Sequence, residues 1–263
     1  MNKAIDKTII DVKNLSVYYG NCRVAHDISF TLREGETLAI VGESGSGKST
    51  VLKAMMGLLD NGGRAEGSIK FHGDEVLNMT HDELKKIRGD KIAMIFQNAA
   101  ASFCPIRKIG EQIAEGIKAH RNLDDSEIRS RADELMGILS LDESTWDAYP
   151  FRLSGGMGQR MGILSAMVLR PSVLLCDEPT SALDSVTQKA VASLLVRAKG
   201  IGTSLIVITH NMGLAHYIAD NVLVMNKGEM VEIGSRDEIF GSPREQYTRR
   251  LIDAVPRLCK ACA

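Results

Sequence analysis

The stretch Gly42-Glu-Ser-Gly-Ser-Gly-Lys-Ser-Thr50 matches the pattern G-x-x-x-x-G-K-S/T and decides the fold of this chain. A continuous apolar run, Thr37 to Val41, comes directly before it, and a helical pattern, Val51 to Met56, follows. In this order of strand, glycine-rich loop and helix, backbone N–H groups turn inward around phosphate oxygens. The stretch therefore predicts a phosphate-binding loop inside an α/β protein.

The positions of this loop have distinct expected tasks. Lys48 would bring a positive charge to the β- and γ-phosphates of a nucleotide, and the Ser49 hydroxyl would hold Mg²⁺. The other nucleotide-binding positions are expected to be Gly42, Ser44, Gly45, Ser46, Gly47 and Thr50. The alternative is a glycine-rich turn that binds nothing, and the matching strand and helix argue against it.

Apolar runs elsewhere indicate the sheet to which the loop belongs. Near-continuous runs are typical of parallel strands covered on both faces, and they occur at Ile92 to Phe96, Val173 to Cys176 and Leu205 to Thr209. Alternating runs are typical of half-exposed strands, and they occur at Ile9 to Tyr19, Ile28 to Leu32 and Ser68 to Phe71. We predict a largely parallel buried sheet with an antiparallel part near the N-terminus.

The strand signal disappears between about residues 98 and 153. Ile109, Ile113 and Ile117 recur every four residues there, which predicts a helix with one buried face. This stretch is therefore interpreted as an inserted helical subdomain. The expected organisation is one nucleotide-binding domain at 1–240 followed by a short C-terminal tail at 241–263.

Composition excludes several classes of protein. The 263 residues carry 32 basic and 33 acidic side chains, a net charge of −1, which leaves no basic footprint for nucleic acid. No apolar run is long enough to cross a bilayer, and the first residues lack a secretory signal, so we expect the chain to stay in the cytoplasm. Cys259 and Cys262 form a CxxC without a second pair, and a metal site is not expected there.

Two carboxylates follow the apolar run that begins at Val173. Asp177 would reach the magnesium ion, directly or through water, and Glu178, one residue further, would act on the attacking water. A pair of solvated acids at a strand end is the alternative. The phosphate-binding loop on a neighbouring strand favours the catalytic interpretation.

A second helix start is suited to an anion. In Leu153-Ser-Gly-Gly-Met157, Ser154 can cap the helix while Gly155 and Gly156 leave backbone N–H groups uncovered. An ordinary capped turn is the alternative for this segment alone.

Together these motifs resemble those of ATP-binding cassette (ABC) ATPases, over nearly the whole chain. The resemblance implies an α/β P-loop NTPase fold with a RecA-like parallel sheet core, an N-terminal antiparallel β subdomain and an inserted α-helical subdomain. It implies ATP and Mg²⁺ as cofactors, and Lys48 and Glu178 as catalytic residues.

Three further positions take expected roles from the resemblance. Tyr19 resembles the aromatic residue that stacks on adenine, with Tyr18 as the alternative. Gln97 resembles the glutamine that joins the γ-phosphate and Mg²⁺ to the helical subdomain, and so is expected to be catalytic, nucleotide-binding and metal-binding. His210 resembles the catalytic switch histidine that contacts the γ-phosphate.

The resemblance also implies a second ATPase subunit. The Ser154, Gly155 and Gly156 segment of one subunit would close over the nucleotide held by the other. Ser181-Ala-Leu-Asp184 resembles the loop that crosses this interface, which makes Asp184 a further expected nucleotide-binding residue. The expected partner ATPase is a related, different chain, although a homodimer remains open.

Within the family, the peptide and nickel importer branch shares the most features with this chain. The matching segments are Leu153 to Met157 with Gln159-Arg160, Thr209 to Gly213, and Gln246 to Ile252 before Val255-Pro256. The positions that depart from the branch's pattern are Ala99, Cys104, Gly158 and Glu245-Gln246. The chain ends soon after Pro256, which favours the nickel or metallophore type over the oligopeptide type.

The branch implies two membrane permeases as partners, an extracytoplasmic binding protein acting indirectly, and a peripheral position on the cytoplasmic face of the cell membrane. No nucleic acid is expected as a partner. The alternatives are a soluble ABC ATPase acting on nucleic acid or the ribosome, and a small-molecule P-loop kinase. A kinase would leave Leu153 to Met157 and Ser181 to Asp184 without a task.

Overall fold

The structure, a computed structural model, describes residues 7–60, 62–181 and 183–254. Ten strands form one sheet in the order β5-β4-β1-β2-β10-β9-β3-β8-β7-β6. The strands are β1 (Thr8–Tyr19), β2 (Cys22–Arg33), β3 (Thr37–Val41), β4 (Gly63–Phe71), β5 (Asp74–Glu75), β6 (Ile92–Ile95), β7 (Val173–Asp177), β8 (Ser204–Ile208), β9 (Asn221–Asn226) and β10 (Glu229–Ser235).

Strands β6, β7, β8, β3 and β9 run parallel and form the buried half of the sheet. Every residue of β3, β7 and β8 is buried, as expected for strands covered on both faces. Parallel strands end at one edge of a sheet, so the loops that follow them meet there. This edge carries the phosphate-binding loop.

The other half of the sheet is antiparallel, as predicted for the N-terminal region. Strands β1, β2, β4 and β5 pair with one another in antiparallel register. Strands β9 and β10 form a hairpin, and a single parallel register pair, Glu229 with His26, connects β10 to β2.

Nine α-helices cover the described part of the chain. They are α1 (Lys48–Met55), α2 (His81–Ile87), α3 (Ile109–Lys118), α4 (Asp125–Ile138), α5 (Gly155–Met167), α6 (Ser185–Gly200), α7 (Met212–Ile218), α8 (Arg236–Gly241) and α9 (Gln246–Asp253). Residues 98–153 contain no strand, and all of them are described. Ile109, Ile113 and Ile117 are buried against α4 and α5, so the predicted stripe is core packing.

Some strand boundaries differ from the sequence prediction. Strand β6 ends at Ile95 because Phe96 is exposed and its carbonyl accepts a hydrogen bond from the Gln159 side chain. Strand β7 continues to Asp177, which pairs with Ile208 of β8. Strand β2 begins at Cys22, well before Ile28, because its polar first half still pairs with β1.

Candidate functional site

A cleft of about 500 Å³ lies at the edge where the parallel strands end. It gathers residues from five separate parts of the chain: Val24, Gly42, Ser44, Gly45, Ser46, Gly47, Lys48, Ser49, Thr50, Gln97, Glu178, Ile208 and His210. Most of the sequence-predicted site residues therefore lie together.

Close backbone contacts explain two glycines of the loop. A Cβ atom at Gly42 would lie 2.1 Å from the carbonyl oxygen of Met225, and one at Gly47 would lie 2.7 Å from that of Val24. Gly47 is also the N-cap of α1, with φ 89° and no side-chain capping bond. The first N–H groups of α1 thus carry no side-chain cap, which is the arrangement that receives an anion.

The Lys48 side chain is drawn into the loop and is only 7% exposed. Its Nζ donates to the carbonyl oxygens of Gly42 (2.9 Å) and Glu43 (2.6 Å) and to Ser46 Oγ (3.2 Å). Burial lowers the pKa of the Lys48 ammonium, and the charges of Glu178 and Asp177 oppose that shift. The three groups that accept hydrogen bonds from Lys48 Nζ, two carbonyls and a hydroxyl, are neutral. The positive charge therefore faces the cleft without a direct counter-ion, where phosphate oxygens would meet it.

Ser49 and Asp177 form the pair predicted to hold Mg²⁺. Ser49 Oγ donates to Asp177 Oδ1 at 2.8 Å, and Asp177 is 6% exposed. Burial raises the pKa of Asp177, against the hydrogen bond from Ser49. Hydroxyl, carboxylate and amide oxygens are the ligands that Mg²⁺ prefers. Gln97 lines the same cleft as Ser49, whereas Asp177 lies behind Ser49 and is not part of the cleft lining.

The rest of a magnesium shell would come from outside the protein. The described residues contain no group of three or more His, Cys, Asp or Glu side chains that could enclose a metal ion. Mg²⁺ usually keeps several waters and binds through one or two carboxylates plus substrate phosphates. The donors present fit an ion that is brought with a nucleotide.

Glu178 and His210 form the polar pair at the far side of the cleft. Glu178 Oε2 lies 2.7 Å from His210 Nδ1, and their side chains are 13% and 69% exposed. The Glu178 backbone is left-handed, with φ 51°, and its N–H donates to the carbonyl oxygen of Ile208 at 3.0 Å. Glu178 lines the cleft, and its negative charge acts on the Lys48 ammonium.

The segment Ser154 to Gly156 lies outside this cleft. Ser154 Oγ caps α5 by accepting the Met157 N–H at 3.2 Å, so the ordinary capping role is present. A Cβ atom at Gly155 would meet nothing within 4 Å, and one at Gly156 would meet only a Leu183 methyl at 3.7 Å. The start of this helix is open on the surface and makes no contribution to the cleft of its own chain.

Asp184 is occupied as a helix cap. Its Oδ1 accepts the N–H groups of Val186 and Thr187, each at 3.0 Å, and begins α6. The hydrogen bond from the Thr187 hydroxyl is the main cause that lowers the pKa of Asp184. Its expected role at a nucleotide stays a prediction, and Ala182 of the same loop lies outside the described residues.

The two candidate adenine-stacking residues do not line the cleft. The Arg64 guanidinium lies 4.0 Å from the centre of the Tyr18 ring, which is therefore already covered on one face. Tyr19 packs against the core cluster beneath the antiparallel strands. Stacking by Tyr19, or by Tyr18, stays a prediction. The predicted CxxC, Cys259 and Cys262, lies outside the described residues.

Sequence reasoning missed two residues near the site. Val24 of β2 lines the cleft, and Tyr247 of α9 places its hydroxyl 3.3 Å from the Glu43 backbone nitrogen in the loop. No motif marks Val24. Tyr247 lies in the tail segment that was singled out by resemblance alone.

The cleft and the strands that position it define a nucleotide-hydrolysing α/β protein of the P-loop class. A family model described as ABC transporter matches residues 25–181. The chain belongs to the ABC transporter family and is an ATP-binding ATPase of that family. The predicted fold class and family resemblance are confirmed.

Named relatives span nearly all of this chain. It is 41% identical, over 95% of its length and 80% of the relative's, to the oligopeptide transport ATP-binding protein OppD of Haemophilus influenzae. It is 39% identical, over 95% of its length and 74% of the relative's, to the dipeptide transport ATP-binding protein DppD of Lactococcus lactis. These names support transport over the alternative of a soluble ATPase acting on nucleic acid.

Solved structures share the fold. One is the dimeric ATP-binding cassette MJ0796 bound to ADP and Pi, with TM-score 0.78 and 30% identity, covering 86% of this chain and 98% of that one. Another is CbiO1 from Clostridium perfringens, part of the cbiONQ complex, with TM-score 0.75 and 27% identity, covering 90% and 92%. ABC importer ATPases work as dimers with membrane permeases.

In the described residues, no helix combines the length and apolar character that crossing a bilayer requires.

Proposed function

We propose that this chain is one of two ATPase subunits that energise an importer of peptides or metal chelates from the cytoplasmic face of the membrane. The observation that carries the proposal is the contrast between two helix starts. The start of α1 lies in a cleft with Lys48, Glu178 and His210, whereas the start of α5 is open on the surface. One chain thus holds half of each of two nucleotide sites.

Lys48 and the loop would bind the phosphates. The uncovered N–H groups at the start of α1 orient the β- and γ-phosphate oxygens, and Lys48, held by the loop carbonyls, neutralises the charge that develops between them. Ser49, Asp177 and Gln97 would hold Mg²⁺, which supplies further charge neutralisation when bound with ATP.

Glu178 would be the general base. It accepts a proton from the water whose oxygen attacks the γ-phosphorus, and the bond from that phosphorus to the bridging oxygen of ADP breaks. His210, 2.7 Å from the carboxylate, holds Glu178 in position and would contact the γ-phosphate.

A second subunit would complete the site. The N–H groups at Gly155 and Gly156, with the Ser154 hydroxyl, would stabilise the γ-phosphate held by the partner's loop. Binding of ATP would close the dimer, and hydrolysis would open it.

A groove of about 700 Å³ beside Gln97 is suited to a permease segment. It lies between the sheet core and the helical subdomain, and it is lined by Met94, Phe96, Phe103, Arg107 and Ile113 among others. Phe96 is an exposed large apolar side chain directly before Gln97. A permease segment bound in this groove would shift Gln97 and so change its contact with the γ-phosphate.

The relatives support peptides as cargo over nickel. OppD and DppD are named for oligopeptides and dipeptides. The cargo would be selected by the permeases and an extracytoplasmic binding protein.

The test is to purify the complex from membranes and measure its ATP hydrolysis with the binding protein loaded with a dipeptide or with a nickel chelate. Stimulation by the dipeptide-loaded protein is expected. Stimulation by the nickel chelate alone would reassign the cargo, and a chain that hydrolyses ATP at full rate as a strict monomer would overturn the proposed dimer.

A further inference from the structure

The C-terminal segment Gln246 to Ile252 has no task in the mechanism described so far. It forms α9, and Tyr247, Leu251 and Ile252 turn inward onto a cluster that contains Ala39 and Val41 of β3. Strand β3 is the one that leads directly into the phosphate-binding loop. Helix α9 therefore packs against the same apolar cluster as the strand that carries the phosphate-binding loop.

The start of α9 is fixed by Glu232 on β10. The two carboxylate oxygens of Glu232 accept the N–H groups of Arg244 at 2.8 Å and Glu245 at 3.2 Å. Burial raises the pKa of Glu232, but the hydrogen bonds that its carboxylate accepts outweigh burial, and the pKa is lowered. An ionised carboxylate thus anchors the residues just before the helix.

A second set of bonds closes the same turn. Arg249 donates from Nε to the carbonyl oxygen of Pro243 at 2.9 Å and from Nη2 to that of Arg244 at 3.1 Å. Glu232 thus ties the turn before α9 to β10, and Arg249 ties the helix back to the same turn.

Tyr247 reaches the phosphate-binding loop from this anchored helix. Its hydroxyl oxygen accepts the Glu43 N–H at 3.3 Å. The carbonyl of the same peptide unit, that of Gly42, accepts Lys48 Nζ at 2.9 Å. One peptide group is thus held between Tyr247 on one side and the loop lysine on the other, and hydrogen bonds in such a chain polarise one another.

We propose that Tyr247 is a positioning residue of the nucleotide site, acting through the Gly42–Glu43 peptide on Lys48, so that the tail helix belongs to the phosphate-binding apparatus. This inference rests on the proposed role of Lys48. Loss of the tyrosine hydroxyl leaves the peptide held only through its carbonyl by Lys48, and the loop then binds phosphate less well. Glu178 and His210 follow the ends of β7 and β8 and keep their places, so the chemical step is unaffected.

The test is Tyr247→Phe, which removes only the hydroxyl. Tyr217→Phe, on the exposed face of α7, is the matched control, because Tyr217 is 60% exposed. Binding of ADP by the full chain and KM and kcat for ATP in the transporter complex are measured. For Tyr247→Phe we expect Kd and KM to rise about fivefold, the size of one hydrogen bond, with kcat unchanged. Tyr217→Phe should match the parent chain.

Glu232→Gln provides a second measurement, because it weakens the anchor without touching Tyr247. A smaller rise in KM in the same direction is expected. An unchanged Kd in Tyr247→Phe, or a fall in kcat with unchanged KM, would overturn the inference. Lys48→Ala separates this inference from the proposed function. If Lys48→Ala binds ADP normally, the proposed nucleotide site is wrong. If Lys48→Ala fails to bind ADP while Tyr247→Phe binds it normally, only the role of Tyr247 is rejected.

Discussion

Helices α1 and α5 both begin at glycine-rich turns, but their surroundings differ. Helix α1 has no side-chain cap, and its first turn lies in a cleft with Lys48, Glu178 and His210. Helix α5 is capped by Ser154, and a side chain added at Gly155 would meet only open space. The first helix start is surrounded by the groups that act on a phosphate, whereas the second offers donors with nothing opposite them.

This difference explains why one chain is expected to be inactive alone. A helix start can bind an anion, but catalysis needs charge and a base aimed at the same atom. The α1 site has both inside the chain, but under the proposed function it still lacks the α5 donors that a second subunit would bring to the γ-phosphate. The α5 start would meet a charge and a base only at the nucleotide of that second subunit.

Lys48→Ala should produce the largest effect. It removes the cation that three acceptors hold in the cleft, so ATP affinity should fall by at least roughly 100-fold, because charge-assisted hydrogen bonds each contribute about 1.5–3 kcal/mol. Lys53→Ala is the matched control on the same helix, since Lys53 pairs with the exposed Asp60. Calorimetric titration with ATP measures both, and equal affinities in the two variants would reject the role of Lys48.

Glu178→Gln should separate binding from hydrolysis. The amide is nearly isosteric but cannot accept the proton, so kcat should fall by about 10²- to 10⁴-fold. ATP binding should persist, and size-exclusion chromatography with ATP should reveal a trapped dimer. Glu143→Gln, at an exposed position in the helical subdomain, should behave as the parent chain. Full hydrolysis by Glu178→Gln would falsify the assignment of the base.

Gly155→Asp tests the incomplete helix start. A Cβ atom at Gly155 meets no atom of neighbouring elements within 4 Å, and an acid in the first turn suits the helix dipole, so the free energy of unfolding should not decrease. Opposite the partner's γ-phosphate, the same charge should lower ATP hydrolysis at least about tenfold while ADP binding stays normal. Unchanged hydrolysis in the assembled complex would show that α5 does not face a nucleotide.

Ser154→Ala and Asp124→Ala give the smallest expected effect and the finest comparison. Both residues cap helices, Ser154 on α5 and Asp124 on α4. Each change should lower the free energy of unfolding by about 1 kcal/mol in denaturant titrations. Only Ser154→Ala should also reduce ATP turnover. If the two variants lose turnover equally, Ser154 is a cap and nothing more.

The sequence predicted the phosphate-binding loop and its strand closely. The bounds of β3, Thr37 and Val41, agree with the prediction because the apolar run stops at Glu36 and at the glycine that follows. Helix α1 begins at Lys48, before the predicted Val51, since its first turn is polar and has no apolar signal. Hydrophobic patterns locate buried elements well and polar ends poorly.

The geometry of the site could not be predicted in the same way. The 2.7 Å contact of Glu178 with His210 depends on the order of β7 and β8 in the sheet and on a left-handed backbone. The contact of Tyr247 with Glu43 joins residues 204 positions apart. Neither leaves a local pattern, because both arise from tertiary packing.

The left-handed backbone at Glu178 has a consequence for evolution. A residue with a side chain pays about 1 kcal/mol there that glycine would not, and only a carboxylate can serve as the proposed base. Selection for hydrolysis therefore opposes a stabilising substitution of Glu178 by glycine. A homologue that no longer hydrolyses ATP would be free to accept that substitution.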